Sequence, residues 1–433
     1  FLSLLSNALP RVREMSLLIS FGIFVAFLLS IFLIPSVLVL LPRPSYLTKK
    51  TNLSGINNIL VYLVRNFTNY KISILTILMI VGTWLSLGIG DLKVDTNPDH
   101  YFPPNSRLRV ANTKIGNAFG GSTQMHILIE GDIFSPQTLK NIEKLTDHIK
   151  STHRIVTKSY SIVDVIKKMN VSFHGGDPDF NIIPDDKDLI TQYMFLYSIT
   201  ADGDEFDLLL DDIDEPNFTQ VFLRLKEVQT FTIAEIVEDT DQFINANFYD
   251  QSPIELTGGA ALLGVLSRMV LKGQLFSLCF SLIIIFSIMM IVFKSIVGGL
   301  LATFPMVSSV IMMFGLMGYL DIPLNMTTSM LTGILVGVGV DYTVHFLWHL
   351  RDHIKCGDSL DGAIANTVMI SGKGILFNGL SVVVGFSALL FSVFVPVKIF
   401  GILVIGSISF CLFGALVTLP ALTSLVNPKF LYK

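Results

Sequence analysis

Long apolar stretches, interrupted by one large polar segment, set the pattern of this chain. Each apolar stretch can cross a bilayer as a helix, which needs about 20 residues. The pattern predicts seven complete membrane spans, at 15–41, 71–90, 275–293, 298–320, 324–348, 373–394 and 399–426. The first span is too long for a cleaved signal peptide, and no small-residue cleavage site follows it.

Residues 10–41 repeat the pattern of residues 396–426. Both stretches begin with Pro and a nearby cation, continue as an apolar span, and carry a second Pro near the exit, Pro35 or Pro420. Residues 1–9 then correspond to the end of the span before the repeat. Since transporters often contain repeats, we interpret residues 1–41 as a helix stub and span six that end a first transmembrane repeat. Most of an N-terminal half is then expected upstream, although two unrelated spans could also look alike.

The polar segment 91–274 shows the alternation of strands and the spacing of helices. Strands are predicted at 123–131, 154–163, 218–228 and 252–258, and helices at 135–151 and 232–248. Two βαβ units of this size indicate an α+β ferredoxin-like domain. The acidic stretch 170–217 between them is interpreted as a helical excursion with a solvated surface, because no EF-hand order of Ca²⁺ ligands is present.

Composition agrees with a membrane protein. The chain has 433 residues, of which 51% are hydrophobic and 15% charged, whereas soluble proteins carry about 25% charged residues. No basic tract points to nucleic acid. The three cysteines, Cys279, Cys356 and Cys411, all lie outside 91–274, which excludes a disulfide framework there and favours a bacterial inner membrane.

Positive charge in the short loops predicts the orientation of the spans. The 42–71 connection contains several Lys and Arg residues and no acid, and such loops remain in the cytoplasm. The predicted organisation follows the chain: residues 1–41 end the first repeat, 42–70 form a cytoplasmic linker, 71–90 form span seven, 91–274 form a periplasmic porter domain, 275–426 form spans eight to twelve, and 427–433 form a cytoplasmic tail.

Asp341 is the strongest candidate for chemistry. It is the only acid in 323–350, a stretch without Lys or Arg. Placing a charge there costs about 3 kcal/mol, so such residues tend to face a bundle interior or a wet cavity and often mark proton pathways. Tyr342 is adjacent, and His345 lies one turn further on the same face. Asn378 and Ser381 come from an antiparallel span at a similar depth, and either could donate a hydrogen bond. These five residues form the predicted proton relay.

Glycines and histidines extend this pattern along the span. Gly333, Gly337 and Gly339 precede the acid, and small residues at such spacing let helices approach closely in lipid. His345, His349 and His353 form a stripe that a metal could use, but further ligands are lacking, so an interfacial stripe is preferred and neither a metal nor a cofactor is predicted. An intramembrane aspartyl protease is not predicted, because it would need a second aspartate within the predicted spans.

Three motifs together resemble the RND (resistance–nodulation–division) superfamily. They are GVGVDYTVHFLWHLRD at 337–352, DLKVDTNPDHYFPPNSRLRV at 91–110 and TGGAALLG at 257–264. The likeness is greatest to the MMPL-type branch of lipid and hydrophobic-compound exporters, and more distant to Patched-type proteins. The resemblance implies spans six to twelve of a twelve-span pump with its second porter domain. It also implies a proton antiporter in which Asp341 and Tyr342 supply half of the relay and the upstream half of the polypeptide supplies the other half.

The expected function is therefore export of lipids or amphiphiles driven by the proton-motive force, by a secondary transporter rather than an enzyme. Expected partners are membrane lipids, a hydrophobic substrate and the N-terminal half, and a homo-oligomer is left open. Three alternatives remain: a sterol- or hopanoid-binding sensor or scaffold, a membrane metal enzyme that uses the histidine stripe, and an accessory pump for protein translocation.

Overall fold

The structure is a computed structural model that describes residues 2–7, 9–41, 54–200, 208–212, 216–226, 229–248 and 253–432, with the backbone alone at 54–69 and at 200. The chain divides into two compact units. The membrane unit comprises Phe1–Val94 and Met269–Lys433, and the second unit, called the 95–268 unit, comprises Asp95–Arg268.

The described part of the chain is mainly helical and has one small sheet. The helices are α1 (Pro10–Leu40), α2 (Ser54–Leu87), α3 (Arg107–Phe119), α4 (Pro136–Thr152), α5 (Ile162–Phe173), α6 (Lys187–Thr200), α7 (Thr230–Phe248), α8 (Gly258–Phe293), α9 (Ile296–Tyr319), α10 (Leu331–Lys355), α11 (Leu360–Ser387), α12 (Val395–Phe413) and α13 (Leu419–Val426). The strands are β1 (Thr123–Glu130), β2 (Val156–Tyr160), β3 (Phe218–Leu225) and β4 (Ile254–Thr257). A short helical turn, Met326–Ser329, precedes α10, and a π-helical turn, Gly414–Thr418, joins α12 to α13.

Seven helical segments of the described chain are long and apolar enough to cross a membrane. They coincide with the seven predicted spans, which confirms a helical membrane protein of that span number. Helix α8 is longer than predicted: it begins at Gly258, whereas the apolar pattern begins only at 275. Arg268 and Lys272 interrupt the hydrophobic pattern there, but a charged side chain does not interrupt a helix.

Two segments near the N-terminus differ from the predicted boundaries. Residues 2–6 of the predicted stub form a 3₁₀ turn, Leu2–Ser6. The predicted linker 42–70 is helical from Ser54, and the backbone bends at Tyr70 (φ −127°, ψ 24°). The predicted start of span seven therefore coincides with a kink within α2. Residues 42–53 of the linker lie outside the described residues.

The 95–268 unit is built on a four-stranded sheet in the order β2-β3-β1-β4, with every neighbouring pair antiparallel. Helix α4 follows β1, and α7 follows β3. Along β1 burial alternates, and Met125, Ile127 and Ile129 lie in the core. This alternation is what the sequence pattern predicted.

One predicted strand is shorter than its pattern. The strand predicted at 154–163 ends at Tyr160, and its last residues belong to α5. Ser161 and Asp164 form a capping box that begins this helix, and such reciprocal bonds satisfy backbone donors that a strand end would leave free. The predicted excursion 170–217 contains α6, while much of its acidic run, at 201–207 and 213–215, lies outside the described residues.

Helix α10 is central in the membrane unit and packs against α9, α11 and α12. At another contact, glycines bring α9 against the end of α2. A Cβ on Gly315 would collide with the carbonyl oxygen of Leu85, and a Cβ on Gly318 would collide with that of Gly88. Close backbone contact through small residues is a usual means of packing helices in lipid. Direct backbone contact therefore sets the distance between α9 and the end of α2 at this crossing.

Candidate functional site

Asp341 lies in the middle of α10 and faces a large cavity. This cavity has a volume of about 950 Å³ and is lined mainly by apolar side chains of α1, α8, α10 and α11. Ser281 and Asn378 are among its polar lining residues. The Asp341 side chain is 51% exposed, so the carboxylate opens into space rather than into packed protein.

A second cavity borders the same carboxylate. It has a volume of about 290 Å³, and its lining includes His345, His349 and Ser371. Asp341 and Asn378 line both cavities. The larger cavity lies toward the start of α10, and the smaller one toward its end. A single ionisable group therefore stands where two cavities meet.

His345 forms the side-chain contact with this carboxylate that could become an ion pair. Its Nε2 lies 3.3 Å from Asp341 Oδ1, across one helical turn, and its side chain is 61% exposed. Within the described ranges, no Lys or Arg forms an ion pair with Asp341. The pair is ionic only when the imidazole carries a proton, and no hydrogen bond joins the two side chains in the described part of the chain.

The two predicted hydrogen-bond donors, Asn378 and Ser381, lie in different surroundings. Asn378 lies beside Asp341 in both cavities, although no hydrogen bond joins the two side chains in the described part of the chain. Ser381 is not brought to the carboxylate. Its hydroxyl donates to the Phe377 carbonyl oxygen at 2.8 Å, a bond to the preceding turn that serine commonly makes within helices. Depth along the span thus placed Asn378, but not Ser381, beside the cavities of Asp341, and the predicted hydrogen bond is formed by neither side chain in the described part of the chain.

Tyr342 is buried in the core of the membrane unit, with 1% of its surface exposed. Its hydroxyl has no hydrogen-bond partner among the described residues, although the side chain borders the smaller cavity. A buried polar group without a partner costs about 1–3 kcal/mol. Since this hydroxyl bonds no described protein group, its removal is expected to cost little stability.

We expect Tyr342→Phe to fold at least as stably as the parent protein, because it removes an unsatisfied buried hydroxyl and keeps the ring. Proton-coupled activity should fall if that hydroxyl belongs to the relay. Thermal unfolding of purified protein checks the first expectation, and proton flux in liposomes checks the second. A lower melting temperature would mean that the hydroxyl has a stabilising partner.

The three glycines before Asp341 have different environments. A Cβ on Gly339 would lie 2.9 Å from Met306 Cγ and 3.1 Å from Cys411 Sγ, so this glycine permits close packing. Gly333 and Gly337 line the larger cavity instead. Their small size leaves room within that cavity.

The histidine stripe does not converge on a metal site. His349 lines the smaller cavity, and His353 Nδ1 lies 3.3 Å from Asp358 Oδ2. In the part of the chain that the structure describes, no group of three or more His, Cys, Asp or Glu side chains could hold a metal ion.

Similarity to known proteins extends across this site. Residues 221–431 match the MMPL family. A membrane protein of Methanocaldococcus jannaschii is 26% identical over 386 residues, which cover 83% of this chain and 92% of that protein. The cryo-EM structure of the hedgehog release protein Disp from water bear (Hypsibius dujardini) has the same fold, with a TM-score of 0.64 and 12% identity.

The Disp alignment covers 98% of this chain but only 57% of the Disp chain. This chain therefore spans little more than half the length of that protein, and at this identity the likeness concerns the fold alone. The family match bears out the resemblance that the three motifs indicated. Residues 221–431, which include Asp341, Tyr342, His345 and Asn378, are therefore similar to the MMPL family.

Proposed function

We propose that this protein exports lipids or other hydrophobic compounds, and that protons moving through Asp341 drive the export. The observation that carries the proposal is the position of Asp341 and Asn378 at the junction of two cavities. A carboxylate at such a junction can accept a proton from one side and release it to the other. His345, at 3.3 Å, is the nearest second carrier.

The energetics favour coupling at this carboxylate. A charge inside the bilayer is costly, and within the described ranges no cation of Lys or Arg neutralises this one. Proton binding therefore changes the preferred surroundings of α10. A membrane potential of about 100 mV contributes about 2.3 kcal/mol for each charge moved, which biases a two-state equilibrium by more than tenfold.

The 95–268 unit is proposed as the porter domain that converts this change into substrate movement. Its strand order β2-β3-β1-β4 with antiparallel neighbours supports a ferredoxin-like domain. The positive charge of the 42–71 connection supports a cytoplasmic position for that loop and a periplasmic position for the 95–268 unit, in a bacterial inner membrane. A second carboxylate is the expected partner of Asp341 in the relay.

Reconstitution into liposomes tests this function. Protein expressed from its full reading frame is placed in vesicles that contain a pH-sensitive dye, and a pH gradient is imposed with and without added lipid substrate. We expect protein-dependent proton flux that rises when an exportable amphiphile is present. Well-folded protein that binds lipid but moves no protons would contradict the proposal and favour a sensor or scaffold. A dependence on bound metal would favour an enzyme, and crosslinking to a translocating polypeptide would favour the accessory pump.

A further inference from the structure

A line of buried polar side chains runs along α8 toward the cavity of Asp341. Gln274, Ser277 and Ser281 are 1%, 0% and 8% exposed. Their spacing of three and four residues places them on one face of the helix. The surrounding segment is strongly apolar, so three buried polar residues on one face need a physical reason.

Gln274, the first of these three residues along α8, has an unsatisfied hydrogen-bond acceptor. Gln274 Nε2 donates to Thr332 Oγ1 of α10 at 2.6 Å. Gln274 Oε1 is buried and has no partner among the described residues. Buried polar atoms without protein partners are typical positions for ordered water. The amide oxygen of Gln274 is thus placed to hold a water molecule.

A second amide lies at the same level. A Cβ on Gly273 would lie 2.6 Å from Asn7 Oδ1, so the absence of a side chain at 273 makes room for Asn7. Asn7 is 1% exposed, and its carbonyl oxygen accepts a hydrogen bond from Arg13 Nε. Buried polar groups of the N-terminal turn therefore lie against α8 next to Gln274, and the main-chain carbonyl oxygen of Asn7 is the one that bonds Arg13.

The lower end of the line opens into the cavity of Asp341. Ser277 donates to the Gln274 carbonyl oxygen at 3.1 Å, and Ser281 donates to the Ser277 carbonyl oxygen at 2.6 Å. Ser281 lines the larger cavity together with Asp341. Thr332 precedes Asp341 by nine residues of α10, which is about 14 Å of helix. The polar line and the cavity together cover that distance.

We propose that Gln274, Ser277 and Ser281 line a hydrated path by which protons reach Asp341 from the end of the bundle where α8 begins. This proposal rests on the proposed proton-coupled function, and it specifies the outer half of the proton route to Asp341. Gln274 is a positioning residue, because its amide oxygen fixes water at the top of the path. At the other end of the path, Ser281 lines the cavity of Asp341.

The chain contains a matched control for an accessibility test. Cys279 lies between Ser277 and Ser281 on α8, and it is exposed on the opposite face, where a membrane would cover it with lipid. Ser281→Cys is made in a Cys356→Ser background, which removes a second exposed thiol. A charged methanethiosulfonate reagent is then added to membranes from the side of the 95–268 unit. We expect Ser281→Cys to react roughly tenfold faster than Cys279, because water is needed to form the reactive thiolate.

A second substitution separates a water path from simple packing. Gln274→Leu keeps a side chain of similar size but removes the amide, so it should slow both the labelling of Ser281→Cys and the proton flux. Equal labelling with and without Gln274→Leu, or no labelling of Ser281→Cys in folded protein, would overturn the path. If Ser281→Cys protein gives both expected labelling results but the parent protein moves no protons, the proposed function is overturned and only a hydrated cleft remains.

Discussion

Asp341→Asn protein should fold normally and carry no proton flux above that of protein-free liposomes. The amide fills the same space between the two cavities but cannot take up and release a proton. In the same vesicles, export of the hydrophobic substrate should stop, because the gradient is no longer coupled to α10. This is the largest functional effect that we expect from any single substitution.

Stability should change little in this variant. The contact of Asp341 with His345 is a pair four residues apart on one helix, and such pairs contribute about 0.5 kcal/mol or less. Asp352→Asn is the matched control: it lies on α10 and is exposed, and it borders neither cavity around Asp341, so it should transport normally. Full transport by well-expressed Asp341→Asn protein would remove Asp341 from the mechanism.

The second large effect concerns folding rather than transport. Gly315→Ala should lower the thermal stability of the purified protein markedly, because the added Cβ collides with the carbonyl oxygen of Leu85. Backbone cannot rotate away as a side chain can, so α9 and α2 must separate. Overpacking typically costs 1–3 kcal/mol, and we expect about 3 kcal/mol here.

Gly82→Ala is the control for this prediction. Gly82 is in α2, and a Cβ there would meet nothing within 4 Å. Because alanine is favoured over glycine within a helix by about 1 kcal/mol, Gly82→Ala should be neutral or stabilising. Unfolding midpoints measured in the same detergent compare the two variants. Equal midpoints would show that α2 and α9 can move apart without cost.

The sequence predicted the spans and the Asp341–His345 pair well, because both follow from spacing along one chain segment. Hydrophobic length identifies a span, and helical periodicity places His345 one turn beyond Asp341. Contacts between helices were predicted less well. Asn378 reaches the cavities of Asp341, but Ser381 bonds its own helix, and depth along a span cannot distinguish these outcomes.

The glycines show the same limit. The sequence favoured Gly333, Gly337 and Gly339 as packing residues because they precede the acid at a close spacing along one helix. Among the glycines of the described ranges, however, those that come closest to another backbone are Gly315 and Gly318 of α9. Which glycine lies at a crossing depends on the angle and rotation of two helices, and neither is encoded in the local pattern. The residue that faces a glycine on the neighbouring helix must be known before that glycine can be assigned to a helix contact.

The junction of the two cavities has a consequence for what fills them. An ionised carboxylate holds water beside it, whereas a protonated one tolerates hydrocarbon. We expect the mostly apolar walls of the larger cavity to dry when Asp341 is protonated and to wet again when it is ionised. Slower reaction of Ser281→Cys in the protonated state would reveal this change. The same space could then admit an acyl chain in one half of the cycle and a proton in the other.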